Sequence, residues 1–254
     1  MPSSKFLVVN FRLMSLLASL CLGVVASCQI KSEADSIIDK AIEAHGGDNL
    51  EEVDMSFDFR DKKYVVKRDD GRFQYERIFN DSIGAVRDIL TNDGFTRIVN
   101  SDTVQLTDEY KRRYSNSVNS VIYFALLPFG LDGDAVNKKY LGETTIKNIP
   151  YFEILVSFEE EGGGEDHEDI YMYWINQQTF TMDYLAYAYH VEGGGTRFRE
   201  AINAREMGGI LFQDYINYDY KGDTTDLHRY ETLFEEDKLV ELSRILLENI
   251  EVED

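Results

Sequence analysis

The run Gly193-Gly194-Gly195-Thr196-Arg197-Phe198-Arg199-Glu200 carries the most pointed chemistry in the chain. On a strand, successive side chains alternate between faces, so Arg197 and Arg199 share one face. Two forked guanidinium groups beside an aromatic ring can hold a carboxylate or phosphate head group. Cross-strand pairing with the chain's many acids is the simpler use of both, and is preferred. No helix follows the glycines, so the run is not a nucleotide-phosphate loop.

The acidic run Glu159 to Asp169 has the oxygen density to bind Ca²⁺, but its spacing is not that of an EF-hand loop. A solvated hairpin loop is the preferred reading. His45, His167, His190 and His228 are the four histidines, and no two share metal-ligand spacing. No Gly-x-Ser-x-Gly elbow accompanies the serines, and carboxylate pairs are too frequent to mark any one of them. No catalytic residue, metal site or cofactor is therefore expected.

Cys28 has a different chemistry. Lys5 and Arg12 precede a nearly uninterrupted apolar stretch from Leu13 to Val25. Thirteen residues suit a signal-peptide core of about 7–15 and fall short of the ~20 needed to cross a bilayer. The stretch closes on Val25-Ala26-Ser27-Cys28, which resembles the bacterial lipoprotein signal: small residues admit the peptidase, and a free thiol takes diacylglycerol. Cleavage before Cys28 makes residues 1–27 a signal peptide and 28–33 a lipidated leash. Cys21 leaves with the signal, so no disulfide is possible in the remainder. Gln29 rather than Asp after the cysteine favours the outer membrane.

The elements that position these groups are read from the spacing of apolar residues. Ile37, Ile38, Ala41 and Ile42 predict a helix over Ala34–His45, stopped by Gly46-Gly47. Period-two patterning then begins, punctuated by Asp69-Asp70-Gly71, Asn92-Asp93-Gly94 and Asn100-Ser101-Asp102 as hairpin turns. Thr107 to Leu127 breaks the meander with a second amphipathic helix, opened by acids and closed by Pro128. Strand candidates follow at Tyr140–Lys147, Tyr151–Phe158, Ile170–Ile175, Met182–Tyr189, Arg197–Arg205, Ile210–Tyr220 and Leu239–Val252. Connections this short demand antiparallel pairing. Tyr184 lies on one face of its strand and Tyr187 and Tyr189 on the other, so both faces of the later sheet are expected to be covered. Residues 34–254 are expected to form a single β-rich domain. The formal charge of −21 over 254 residues argues against nucleic acid as a partner and against lying flat on anionic lipid.

Several runs together resemble a known family: Tyr123 to Leu131, Tyr140-Leu141-Gly142-Glu143, Tyr171 to Asn176, Asp183 to Tyr187 and Gly194 to Arg199. The chain is similar to uncharacterised lipoproteins of Bacteroidota-type bacteria, some of them mislabelled deoxyribose-phosphate aldolase. An aldolase of that kind needs alternating strands and helices and a buried Schiff-base lysine, and hairpins replace them here. At the level of fold, the resemblance implies the periplasmic lipoprotein-carrier superfamily: an unclosed antiparallel barrel, its open face plugged by helices, that shelters acyl chains.

The expected fold is α+β, a curved antiparallel sheet with both helices on its open side. The expected function is a non-enzymatic, membrane-anchored envelope lipoprotein, monomeric, binding a lipid or other hydrophobic ligand. Trp174, Tyr187, Phe198 and Phe212 are the candidate wall residues, with Arg197 or Arg199 for the head group. Two alternatives stay open: an envelope enzyme acting on a glycan or lipid, which needs converging titratable groups, and a scaffold that offers an open sheet edge to a partner.

Overall fold

Alternating residues and two-residue turns build the first half of the molecule. The computed structural model describes residues 31–162, 167–190, 194–222, 224 and 226–253. Strands β1 (Val53–Phe59), β2 (Lys62–Asp69), β3 (Arg72–Asp81), β4 (Gly84–Thr91), β5 (Gly94–Val99) and β6 (Asp102–Thr103) follow one another as antiparallel hairpins. Asp70 and Gly71 (φ 46° and 75°) and Asn100 and Ser101 (φ 49° and 79°) take the left-handed backbone of tight hairpin turns. The expected turns at these positions are thus present.

One helix precedes these strands and a second follows them. In α1 (Glu33–Ala44) the Ser32 side chain accepts the Asp35 N–H at 3.1 Å. In α2 (Asp108–Leu126) Thr107 caps the first turn in the same way, through the Tyr110 N–H. No described helix is long and apolar enough to cross a membrane.

The second half is a larger meander: β7 (Val136–Ile146), β8 (Ile149–Phe158), β9 (Ile170–Asn176), β10 (Met182–Tyr189), β11 (Gly195–Met207) and β12 (Ile210–Tyr220). A short helix, α3 (Tyr230–Glu235), comes next, in a segment to which the sequence reading assigns no element. The chain then returns as β13 (Leu239–Ile245) and β14 (Glu248–Val252).

These strands form two seven-stranded antiparallel sheets rather than one. Their orders are β14-β1-β2-β3-β4-β5-β6 and β13-β12-β11-β10-β9-β8-β7, and neither closes into a barrel. The strand expected over Leu239–Val252 is in fact two, one at an edge of each sheet. Between them, Leu247 donates its N–H to Asp214 Oδ1 at 2.9 Å and accepts from Arg205 at 2.6 Å, while Arg205 itself pairs with Asp214 at 3.0 Å. A buried carboxylate thus fixes the step at which the chain changes sheets. β14 then pairs with β1, Met55 opposite Val252. Across the other end of the half-barrel, α2 carries the chain from β6 to β7.

Three apolar clusters fill the interior. Val118, Ile122 and Leu126 of α2 pack on Met55, Phe57, Tyr64, Val66, Tyr75 and Leu90 of the first sheet. Ala34, Ile37, Ile38 and Ala41 of α1 cover Ile154, Val156, Tyr173, Ile175 and Leu185 on the concave face of the second. On the opposite face of that sheet, Leu227, Tyr230 and Phe234 cover Trp174, Tyr184, Ala186 and Phe198. Each large side chain so buried contributes about 1.5–3 kcal/mol, and no cysteine occurs among the described residues to add a disulfide.

Candidate ligand cavity beneath the second helix

Where α2 passes over the second sheet, packing is incomplete. A cavity of about 280 Å³ lies there, roofed by Ser120, Val121, Phe124 and Ala125 and floored by Tyr187, Arg199, Gln213, Tyr215 and Ile245, with Phe59 and Leu247 at its end. The roof residues recur at spacings of one, three and four, which is one face of a helix. The floor residues are alternate positions of neighbouring strands. The walls are mostly apolar, and small-molecule sites typically combine such walls with a few placed polar groups.

Arg199 is the placed group. It is 7% exposed. One terminal nitrogen donates to the Tyr187 hydroxyl at 3.0 Å, and the guanidinium carbon stands 3.9 Å from the centre of the Phe124 ring. Its Nε–H meets no acceptor among the described residues. Register explains its isolation from acids, since its cross-strand neighbours are Leu185 on β10 and Asn217 on β12. Beside it, the Gln213 carboxamide oxygen accepts from Tyr215 Oη at 3.3 Å. Burial raises the Tyr215 hydroxyl pKa well above its usual value, so it stays a neutral donor.

The sequence candidates do not all meet here. Tyr187 and Arg199 line the cavity. Arg197, two residues back on the same face, reaches Asp219 at 3.3 Å and stacks on Tyr189, the cross-strand pairing preferred from sequence. Trp174 and Phe198 lie on the opposite face of the sheet, with ring centroids 5.6 Å apart. Phe212 is fully buried with Met55, Phe57 and Leu50 in the cluster under the first sheet. Phe124, Gln213 and Ile245 were not among the candidates. The alternation along β12 and β13 and the helical spacing of α2 could have pointed to them.

Other titratable groups have structural employment. His45 accepts the Met182 N–H, and His190 Nδ1 lies 3.4 Å from Asp169. Glu231 has its carboxyl pKa raised by burial and by nearby Glu153, yet it accepts from Trp174 Nε1 at 2.9 Å and from Thr144 at 3.2 Å. Among the described residues no group of three His, Cys, Asp or Glu side chains could hold a metal. The middle of the acidic run, 163–166, lies outside the described residues, as do Cys28 and the rest of the leader.

An open antiparallel half-barrel with a helix across its mouth and a mainly apolar cavity beneath is the class that fold and cavity define. The chain belongs to DUF6503, a family of unknown function, whose profile matches residues 12–249. No curated protein matches it in sequence. Among solved structures, a LolA-superfamily protein of Nitrosomonas europaea aligns with a TM-score of 0.50 and 12% identity, over 88% of this chain and 95% of that one. A DUF1329-family protein of Desulfovibrio piger aligns with a TM-score of 0.51 and 12% identity, over 87% and 93%. At this identity the likeness is one of fold.

Proposed function

We propose that this protein is an envelope lipoprotein that takes a hydrophobic molecule into the cavity beneath α2 and does no chemistry on it. The cavity carries the reading: a mainly apolar space of about 280 Å³ roofed by a helix and floored by one buried arginine. The half-barrel fold shared with the LolA-superfamily structure supports it. Cleavage before Cys28 and lipid on that thiol would leave only the few residues ahead of the Ser32 cap of α1 as a leash, shorter than the 28–33 expected, holding one monomeric domain off the membrane, by the Gln29 criterion the outer membrane. The residues from Lys31 onward do pack as one compact unit. The acidic surface suits such a stand-off.

Native mass spectrometry of the protein purified from membranes of its own host, followed by organic extraction, tests this reading. A stoichiometric co-purifying lipid or other apolar molecule is the expected result. A bare polypeptide mass that also fails to take up added fatty acid or phospholipid would sink it.

A further inference from the structure

The floor of the cavity says more about its occupant than apolar walls alone would. A guanidinium cannot be deprotonated in a protein, and it has five N–H donors to satisfy. Arg199 has been taken almost wholly out of water, which is costly unless charge and hydrogen bonds are met. What the protein gives it is one phenol hydroxyl, from Tyr187, and the faces of Phe124 and Tyr187. Ring faces favour a cation but are only weak acceptors for its N–H groups. No carboxylate lies within ion-pair distance of Arg199 among the described residues, although acids pair with Arg77, Arg87, Arg97, Arg197, Arg205 and Arg244 elsewhere in the molecule. The contrast with Arg197, two residues away and paired, shows that a partner was available to this strand at little structural distance.

Resting on the cavity reading, we infer that the occupant is a single-chain amphiphile with a carboxylate head, the head held by Arg199 with Tyr187 and Gln213 beside it and the chain lying along Phe124, Val121 and Ala125. A planar carboxylate matches a guanidinium fork, and its bonds to that fork are charge-assisted. Size restricts the chain. The cavity, about 280 Å³ and open on one side, accommodates a carboxylate with a medium-length tail. Ser120 is exposed, so a longer tail would leave beside it.

The competing arrangement is internal. Asn217 Oδ1, directly across the strand pair from Arg199, is also buried without a donor. If Nε closes on that oxygen, both are satisfied and the cavity has no preference for an anion.

The test is calorimetric titration of the full-length protein in nanodiscs with octanoate and, separately, with 1-octanol at pH 7, empty nanodiscs serving as the blank. The two probes share a chain and differ in head charge. Octanoate is expected to bind about tenfold more tightly or better, from the strength of hydrogen bonds to charged groups. In Arg199→Met the two affinities should converge, with octanol binding retained. Equal affinity in the unaltered protein overturns the inference and leaves the cavity reading standing. Binding of neither probe removes both. An acid preference that survives in Arg199→Met also overturns it, because the head would then lie elsewhere.

Discussion

The imidazole Nε2 of His45 accepts the backbone N–H of Met182 at 3.1 Å, so a side chain at the end of α1 satisfies the start of β10. The His45 carbonyl meanwhile accepts the Leu211 N–H at 3.1 Å, tying the same residue to β12. Burial lowers the imidazole pKa from 6.5 to about 4. Only the neutral ring can accept from Met182. The unfolded chain therefore binds a proton at His45 near pH 6.5, and the native state binds none until about pH 4. Stability from this group is complete above pH 6.5 and is lost as the pH falls through that window, about 3 kcal/mol in all. Urea denaturation of the native protein and His45→Gln at several pH values checks this. The difference between them should shrink on going from pH 7 to pH 4, and a constant difference would contradict the assignment.

Asp88 holds two arginines at once. It is fully buried, with Arg77 Nη2 at 2.6 Å and Arg97 Nε at 2.6 Å, and α2 closes the cluster through Ser117, which accepts from Arg77 at 2.6 Å. Removing the shared carboxylate strands two cations between helix and sheet. Asp88→Ala should cost about 3–5 kcal/mol in a denaturation midpoint analysis. A loss below about 1 kcal/mol would mean that the arginines find other acceptors.

The two faces of the second sheet separate binding from stability. Ala125→Leu adds bulk into the cavity and should weaken ligand uptake at least severalfold while changing stability by less than about 1.5 kcal/mol. Phe198→Ala opens a hole among Trp174, Tyr184 and Phe234, and should cost about 3–5 kcal/mol without altering the affinity of the protein that remains folded. The opposite pattern would place the ligand on the α3 side.

Cys28→Ser removes the only thiol of the proposed mature chain. Metabolic labelling with palmitate in the native host should lose its signal in this variant, and the protein should leave the outer-membrane fraction. Labelling that persists would exclude this cysteine as the lipid carrier.

The local code of the chain was readable where short-range chemistry dominates. Asp70-Gly71 and Asn100-Ser101 are left-handed turns that few residue pairs tolerate, and Thr107 with two acids marks a helix start by a hydrogen bond of three-residue range. The cavity was half readable. Phe198 sits between Arg197 and Arg199, so alternation already assigns it to the other face, and Trp174 shares that face because it stands opposite Tyr184 in the β9–β10 register. Which arginine lacks an acid was unreadable, because it depends on whether Asp219 or Asn217 lies across the pair. The break at Leu246-Leu247 was hidden for the same reason: apolar spacing runs on through it, and the signal that stops the strand is Asp214, on another strand.

The pairing of β1 with β14 sets an order of assembly. Met55 meets Val252 across almost the whole domain, so the first strand made keeps one edge open until residues near 250 have arrived. Hairpins β1 to β6 can form locally, but the step that joins both sheets at Leu247 is a long-range closure, slow by its loop entropy. Synthesis of the chain therefore runs nearly to its end before β1 gains its second neighbour, and β14 then becomes the edge of that sheet.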